Sequence, residues 1–134
     1  MSRKIMSLRL LAVLALVSTA TGCIAAAAAA GAAGAIAYTE RGANSEVNAS
    51  VNTLLQATEA TFSEMNIVII ERKTAENGTE VELKGNRGDL DVTVNIHQDN
   101  PPTTKIDVTA KRNVVDYDRD YARDILQRVL KRLS

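Results

Sequence analysis

His97 is the only histidine of the chain, and histidine is the side chain best suited to general acid–base work near neutral pH. It closes an alternating apolar and polar segment, with Asp99 two residues further on. A catalytic dyad or a metal site needs more partners, and the sequence contains no second histidine. We therefore interpret His97 as an exposed residue at the end of a strand, and we predict no enzymatic activity, no metal site and no cofactor.

Five carboxylates occupy polar positions of neighbouring alternating segments, where paired carboxylates can catalyse acid–base reactions or bind Ca²⁺. They are Glu80, Glu82, Asp89, Asp91 and Asp107. Lysines are interleaved with them at Lys84, Lys105 and Lys111. This alternation of sign is typical of cross-strand charge pairing, which is the interpretation that we adopt. Asp89 also ends the tripeptide Arg87-Gly88-Asp89, which suits a turn between two strands.

Cys23 is the only cysteine, so the chain by itself can form neither a disulfide nor a multi-cysteine zinc site. The first nine residues contain three positive charges, at Arg3, Lys4 and Arg9. An apolar run follows over residues 10–17, and small residues occupy positions 18–22. A charged start, a short apolar centre and a small-residue exit are the zones of a signal peptide. The apolar run is far below the ~20 residues that span a bilayer, which favours a cleaved signal over a transmembrane anchor.

The residues Ala20-Thr21-Gly22-Cys23 resemble the lipobox of bacterial lipoproteins, with Ala20 where Leu is most common. The resemblance implies that the thiol of Cys23 receives a diacylglyceryl group, that the chain is cut between Gly22 and Cys23, and that the new amino group is acylated. Several acyl chains together anchor a protein stably. Ile24, in place of a retaining Asp, implies the periplasmic leaflet of the outer membrane if the source is Gram-negative. The alternatives are an ordinary cleaved signal peptide followed by an unmodified cysteine, and a small buried cysteine.

Residues 24–38 form an uncharged Ala/Gly tract that ends at Tyr38, and the polar residues 39–45 follow it as a hinge. Alanine favours helix, whereas Gly31 and Gly34 weaken it. We interpret the tract as a membrane-proximal spacer. Because small residues three or four apart allow helices to approach closely, self-association of the tract is the alternative.

Two segments carry the apolar periodicity of amphipathic helices. The first begins at Val47 and ends near Asn66, and the second begins at about Asp118 and continues to Leu133. The second helix carries a set of cations, which are Arg119, Arg123, Arg128, Lys131 and Arg132. Because aspartates are interspersed with these cations, we interpret them as a solvated face, with contact to anionic lipid headgroups as the alternative.

Four segments between the helices predict strands, because each is dense in β-branched residues or alternates with period two. They cover residues 67–74, 80–85, 90–97 and 105–111, with Asn77-Gly78 as a type I′ hairpin turn. The order αββββα predicts an α+β fold, in which an N-terminal and a C-terminal helix pack on one face of a four-stranded antiparallel meander sheet. The polar face of the sheet is expected to stay in solvent.

This layout resembles a set of small bacterial lipoproteins that are grouped as a domain of unknown function. The shared features are a Gly-Cys lipobox, an Ala/Gly-rich tract that ends near an aromatic residue, and a compact αββββα domain. The matching parts are Gly22-Cys23, the tract up to Tyr38, and the stretch 47–70. The resemblance supplies no catalytic residues.

We predict three parts: a signal peptide over residues 1–22, a lipidated Cys23 with its tether over residues 23–45, and one α+β periplasmic domain over residues 46–134. Removal of residues 1–22 takes away three of the 16 basic residues and none of the 16 acidic ones, which leaves a net charge of −3. With no Trp, three Tyr and one Phe, this charge disfavours nucleic-acid binding.

The function that the sequence favours is a non-catalytic binding or scaffolding module of the cell envelope. Its partners would be the membrane, through the acyl chains on Cys23, and an unidentified envelope protein or lipid. A module that binds a small ligand or lipid is the alternative, and a hydrolase is a more distant one. A flat polar sheet would favour contact with a protein, whereas a broad uncharged groove would favour a small ligand.

Overall fold

The computed structural model of the chain describes residues 35–133, apart from the side chain of Asp99. Gly22, Cys23, the segment interpreted as a signal peptide and most of the Ala/Gly tract therefore lie outside the described residues. The described part consists of six strands and two helices. In chain order they are β1 (Ala37–Tyr38), β2 (Gly42–Val47), α1 (Val51–Glu64), β3 (Val68–Thr74), β4 (Glu80–Arg87), β5 (Leu90–Asn100), β6 (Thr103–Lys111) and α2 (Arg119–Lys131).

All six strands belong to one antiparallel sheet in the order β1-β2-β6-β5-β4-β3. Strands β3 to β6 follow one another as hairpins, and they coincide with the four segments whose patterns predicted strands. The turns at either end of β4 contain Gly78 and Gly88, whose φ angles are 70° and 61°. Glycine populates this left-handed region without the steric cost that a Cβ atom brings. The predicted type I′ turn at Asn77-Gly78 is wrong, because Asn77 does not have the positive φ that this turn requires, and the loop is closed by a hydrogen bond from Ala75 N–H to the carbonyl of Glu80.

The predicted four-stranded meander is wrong, because the sheet has two further strands. Strand β2 pairs with β6 along its whole length, from Gly42 opposite Thr109 to Val47 opposite Thr104. Val47 therefore ends a strand instead of beginning the first helix. The buried residues of β2 at positions 43, 45 and 47 alternate, but two of them are Ala and Ser, whose side chains give little strand signal. This segment is a strand because it pairs with β6, some sixty residues away, and not because of its local propensity.

Local capping explains where the two helices begin. Ser50 accepts a hydrogen bond from the backbone N–H of Thr53 at 3.1 Å, and Asp118 accepts one from that of Tyr121 at 2.9 Å. Each contact satisfies a backbone donor that the first helical turn leaves unpaired. Within α1, the buried hydroxyls of Thr58 and Thr61 donate to the carbonyl oxygens four residues earlier.

The core lies between the two helices and one face of the sheet. Helix α1 packs on β3, β4 and β5, helix α2 packs on β2 and β6, and the helices contact each other. The largest fully buried side chains alternate along the strands and line the facing helix stripes; they include Leu54, Phe62, Leu83, Ile96, Ile106, Ile125 and Leu126. Within residues 35–133, neither helix combines the length with the apolar composition that a membrane span requires. The opposite face of the sheet is covered by neither helix.

Candidate functional site

The face of the sheet that points away from the helices, called the open face below, carries the polar positions of the strands, together with Val68 of β3 opposite Asn86. At its centre, Thr93 and Asn95 of β5 lie between β4 and β6, and they are only partly exposed because their neighbours pack beside them. Other members are Asn44 and Glu46 of β2, Glu71 and Lys73 of β3, Glu80, Glu82 and Lys84 of β4, His97 of β5, and Lys105, Asp107, Thr109 and Lys111 of β6.

A ring of four charges lies at the β3 side of the open face. The Nζ atom of Lys84 is 3.1 Å from a carboxylate oxygen of Glu71 and 3.1 Å from one of Glu82. The Nζ atom of Lys73 lies 3.3 Å from Glu71 and 3.6 Å from Glu82. Hydrogen bonds from Lys84 and then Lys73 hold the pKa of Glu71 below its ordinary value, and the bonds to Glu71 and Glu82 raise the pKa of Lys84.

A β-bulge creates this ring. The register between β3 and β4 shifts between Ile69 and Glu71. The extra residue turns Glu71 and Lys73 towards the open face and turns Arg72 towards the helices, where it forms an ion pair with Glu59 of α1. A bulge inserts one residue and so reverses which side chains face each surface.

The five carboxylates singled out from the sequence do not form one acidic site. Glu82 belongs to the ring, Glu80 lies opposite His97, and Asp107 is 3.9 Å from Lys105. Asp91 lies opposite Lys111 in the register of β5 and β6, and Asp89 lies in the turn, 3.6 Å from Arg112. No group of three or more potential metal ligands is present in the part of the chain that the structure describes.

His97 lies on the open face and is 45% exposed, near the end of β5 that faces the β5–β6 turn. Its Nδ1 atom is 4.0 Å from Glu80 Oε2, and Lys105 lies opposite it on β6. The backbone at Gly88 makes a turn, as the tripeptide Arg87-Gly88-Asp89 predicts, and Arg87 donates a hydrogen bond to the hydroxyl of Tyr121 at 3.3 Å.

Two of the cations at the C-terminal end of α2, Arg128 within the helix and Arg132 directly after it, clamp the end of α1. Arg128 donates to Glu64 at 2.5 Å and to Asp124 at 3.2 Å, and Arg132 bonds the other carboxylate oxygen of Glu64 as well as the hydroxyl of Thr61. Hydrogen bonds from Arg128 and then Arg132 lower the pKa of Glu64. The clamp borders an open cleft of about 510 Å³. These arginines therefore join the two helices, which is a role that the sequence did not indicate.

An aromatic cleft between the β1–β2 turn and the start of α2 was missed by the sequence analysis. Arg123 of α2 lies over the ring of Tyr38, 5.4 Å from its centroid, and Arg41 lies over the ring of Tyr117 at 5.8 Å. Such cation–π contacts hold the turn against the helix. The cleft has a volume of about 580 Å³ and is lined by Tyr38, Arg112, Tyr117, Asp118, Arg119 and Asp120. Its two tyrosines are far apart in sequence, so no local pattern indicates it.

One layer of helix on a six-stranded antiparallel sheet places the described part among two-layer α+β domains. The sequence matches, over residues 4–130, the model of a family described as a protein of unknown function (DUF3568). The chain belongs to this family, and the resemblance to a family of unknown function is confirmed at that level. No curated protein matches the sequence.

Proposed function

We propose that the protein is a bacterial envelope lipoprotein whose folded domain is a non-catalytic module that binds another envelope protein. Support for the anchor comes from the sequence, where the charged, apolar and small-residue zones end in Gly22-Cys23. Acylation of Cys23 would hold the domain at the membrane surface, in the periplasmic leaflet of the outer membrane if the source is Gram-negative.

The observation that carries the binding role is the open face, a charged sheet surface that neither helix covers. Five neighbouring strands about 4.8 Å apart, over some eight residues at ~3.3 Å each, give a surface of about 600 Å². A specific protein interface buries about 800 Å² on each partner, so the open face with its rim is of suitable size. Fixed charges of both signs provide specificity and faster association more than raw affinity.

The same charges do not form a catalytic arrangement. Hydrogen bonds from Lys84 and Lys73 hold the pKa of Glu71 below its ordinary value, which makes Glu71 a poor proton donor. Glu82 contacts the same two lysines. His97 has a carboxylate and a lysine as its cross-strand neighbours. We therefore infer that the protein does not catalyse a reaction through these residues.

A module that binds a small ligand is a second candidate, and the aromatic cleft favours it. Two tyrosines with arginines and aspartates at its rim offer stacking surfaces together with hydrogen-bond donors and acceptors. The cleft is open and strongly polar. Each tyrosine ring already contacts an arginine that does not line the cleft, and these arginines are Arg41 and Arg123. These properties make protein binding through the open face the better supported role.

Site-specific photo-crosslinking in living cells tests the proposed role. A photoreactive amino acid replaces Asn95 at the centre of the open face, and the matched control replaces Gln56, an exposed residue of α1 on the opposite side of the domain. We expect a discrete crosslinked protein from position 95 and none from position 56. If the same crosslinked proteins appear from both positions, or if position 95 gives no crosslinked protein, the domain does not bind a protein through the open face.

The anchor is tested separately by growing cells with a radioactive fatty acid. The wild-type chain should incorporate label and fractionate with membranes, whereas Cys23→Ser should do neither, because serine lacks the thiol that receives the diacylglyceryl group. Equal labelling of the two chains would show that Cys23 is not the lipidated residue.

A further inference from the structure

The two ends of the sheet differ in what they expose. The first, called the loop end, carries the β1–β2 turn, the β4–β5 turn and the segment that joins β6 to α2. The second, called the hairpin end, carries the β3–β4 and β5–β6 turns. The strand registers establish this division, because Gly42 lies beside Thr109 near the end of β6, and Val68, Asn86, Asp91 and Lys111 form one row across the sheet.

The segment between β6 and α2 holds two valines out in solvent. Val114 and Val115 are each 83% exposed. The side chain of Asn113 accepts hydrogen bonds from the backbone N–H groups of Val115 and Asp116 at 3.0 and 2.9 Å. The N–H of Arg112 donates to the carbonyl of Asp116 at 2.9 Å, and a bridge joins Lys111 to Tyr117 at the base. The valines are therefore displayed by a hydrogen-bonded turn.

The other exposed large apolar residues also lie in this half of the sheet. Val68, Ile69 and Ile70 begin β3, and their exposed fractions are 64%, 41% and 58%. Tyr38, 51% exposed, adjoins the β1–β2 turn. Within residues 35–133, no large apolar side chain of the hairpin end is exposed in this way. These residues do not form one patch, because β1 and β3 are the opposite edges of the sheet, but all of them lie at the loop end. Exposed apolar side chains concentrated at one end indicate a surface that contacts something less polar than water.

The chemistry around the valine turn is that of a membrane–water interface. Tyr38 and Tyr117 have apolar rings with polar tips, which is the property that enriches tyrosine at the headgroup level. Long arginine side chains accompany them at Arg41, Arg119 and Arg123, and such side chains bury their stems while their charged ends remain hydrated. Two valines at a tip cover far less area than a protein interface needs, which favours a lipid surface over a protein.

We propose that the loop end of the domain docks on the surface of the lipid bilayer, with Val114 and Val115 entering the headgroup region. The proposal rests on the lipid anchor proposed above. Residues 24–35 can span at most about 40 Å, so either end of the sheet can reach the membrane from Cys23. Tethering makes insertion intramolecular, so that a contact too weak to hold the domain from solution becomes populated. Docking through the loop end leaves the open face upright and accessible to a protein partner.

The proposal is tested with the full-length lipidated protein reconstituted in vesicles of phosphatidylethanolamine and phosphatidylglycerol. Acylation occupies the sulfur of Cys23, the only native cysteine, so an introduced cysteine is the single free thiol. An environment-sensitive fluorophore is attached at Val115→Cys, and the matched control is Glu76→Cys, an exposed position in the β3–β4 turn at the hairpin end. We expect a blue-shifted emission and protection from iodide quenching at position 115 only. Val114→Asp in the Val115→Cys chain should abolish both effects.

The results that would overturn the docking proposal differ from the result that would overturn the lipid anchor. If the chain floats with the vesicles but both labels behave as in water, docking is wrong and the anchor stands. If the label at position 115 is shielded only after envelope proteins are added, the occupant is a protein and the lipid proposal is wrong. If the wild-type chain does not float with the vesicles, the anchor is wrong and the docking that depends on it falls with it.

Discussion

Replacement of Gly42 by alanine is expected to destabilise the domain strongly, because no space exists for a side chain at this position of β2. An added Cβ atom would lie 1.9 Å from the carbonyl oxygen of Val108 and 3.1 Å from the Cα atom of Thr109, both on the backbone of β6. Relief of this contact requires the two strands to separate by about 1.5 Å, since van der Waals contact begins near 3.4 Å. A movement of that size breaks the nearest inter-strand hydrogen bonds.

The expected loss is about 3 kcal/mol of unfolding free energy, from two ladder bonds at ~1 kcal/mol each and at least ~1 kcal/mol of overpacking. A domain of this size loses roughly 4–8 °C of Tm per kcal/mol, so Tm should fall by about 12–24 °C. The control Gly78→Ala has nothing within 4 Å and a φ of 70°, so it should cost only about 1 kcal/mol. Circular dichroism melts of the chains measure both. If Gly42→Ala melts no lower than Gly78→Ala, β2 does not pack against β6 as described.

Three further outcomes are expected. His97→Ala should change the unfolding free energy by less than about 0.5 kcal/mol and leave any cellular phenotype intact; a folded variant that fails to complement a deletion strain would make His97 a working residue. Because the pKa of Glu64 is lowered in the folded chain, its ion pairs stabilise the folded state fully above the ordinary pKa of 4.5, and this stabilisation is lost as the pH falls below that value. The difference in unfolding free energy between the wild type and Glu64→Gln should therefore shrink between pH 6 and pH 3. A difference that stays constant over this range would show that the clamp does not stabilise the fold. A chain that begins at Ala35 should unfold cooperatively on heating, whereas a chain that begins at Glu46 should not, because it lacks β1 and most of β2. Equal melting curves would show that β1 and β2 are dispensable for folding.

Periodicity predicted the parts of the fold whose signal is local. Val81 and Leu83, then Val92, Val94 and Ile96, alternate with polar residues, and each stretch is a strand with its apolar side chains in the core. The amphipathic stripes of the two helices are equally local. Pattern and outcome agree there because burial of one face is what selects the alternation.

Strand β2 illustrates what periodicity cannot reveal. Ala43 and Ser45 are buried at 1% and 2% exposure, yet neither residue type favours a strand. These two residues are in a strand because the backbone of β2 pairs with β6 and because α2 packs over β2. Such long-range pairing leaves no signature within the segment itself.

The charge pairs of the open face depend on residues that the sequence pattern did not single out. Interleaved signs at Glu82 and Lys84 predicted cross-strand pairing, but these two residues contact each other along β4, and their cross-strand partners are Lys73 and Glu71 of β3. The contribution of Glu71 and Lys73 depends on the bulge after Ile69, which reverses the alternation and has no marker in the sequence. The aromatic cleft depends on the packing of the β1–β2 turn against α2, so it emerges only once the fold is known.

Mass spectrometry of the mature protein, purified from membranes, tests whether the domain is tethered by a lipidated Cys23. We predict an N-terminal peptide that begins at Cys23, lacks residues 1–22, and carries a diacylglyceryl group on sulfur with a further acyl group on nitrogen. A mature chain that begins elsewhere, or a peptide with the thiol of Cys23 unmodified, would show that Cys23 does not tether the domain.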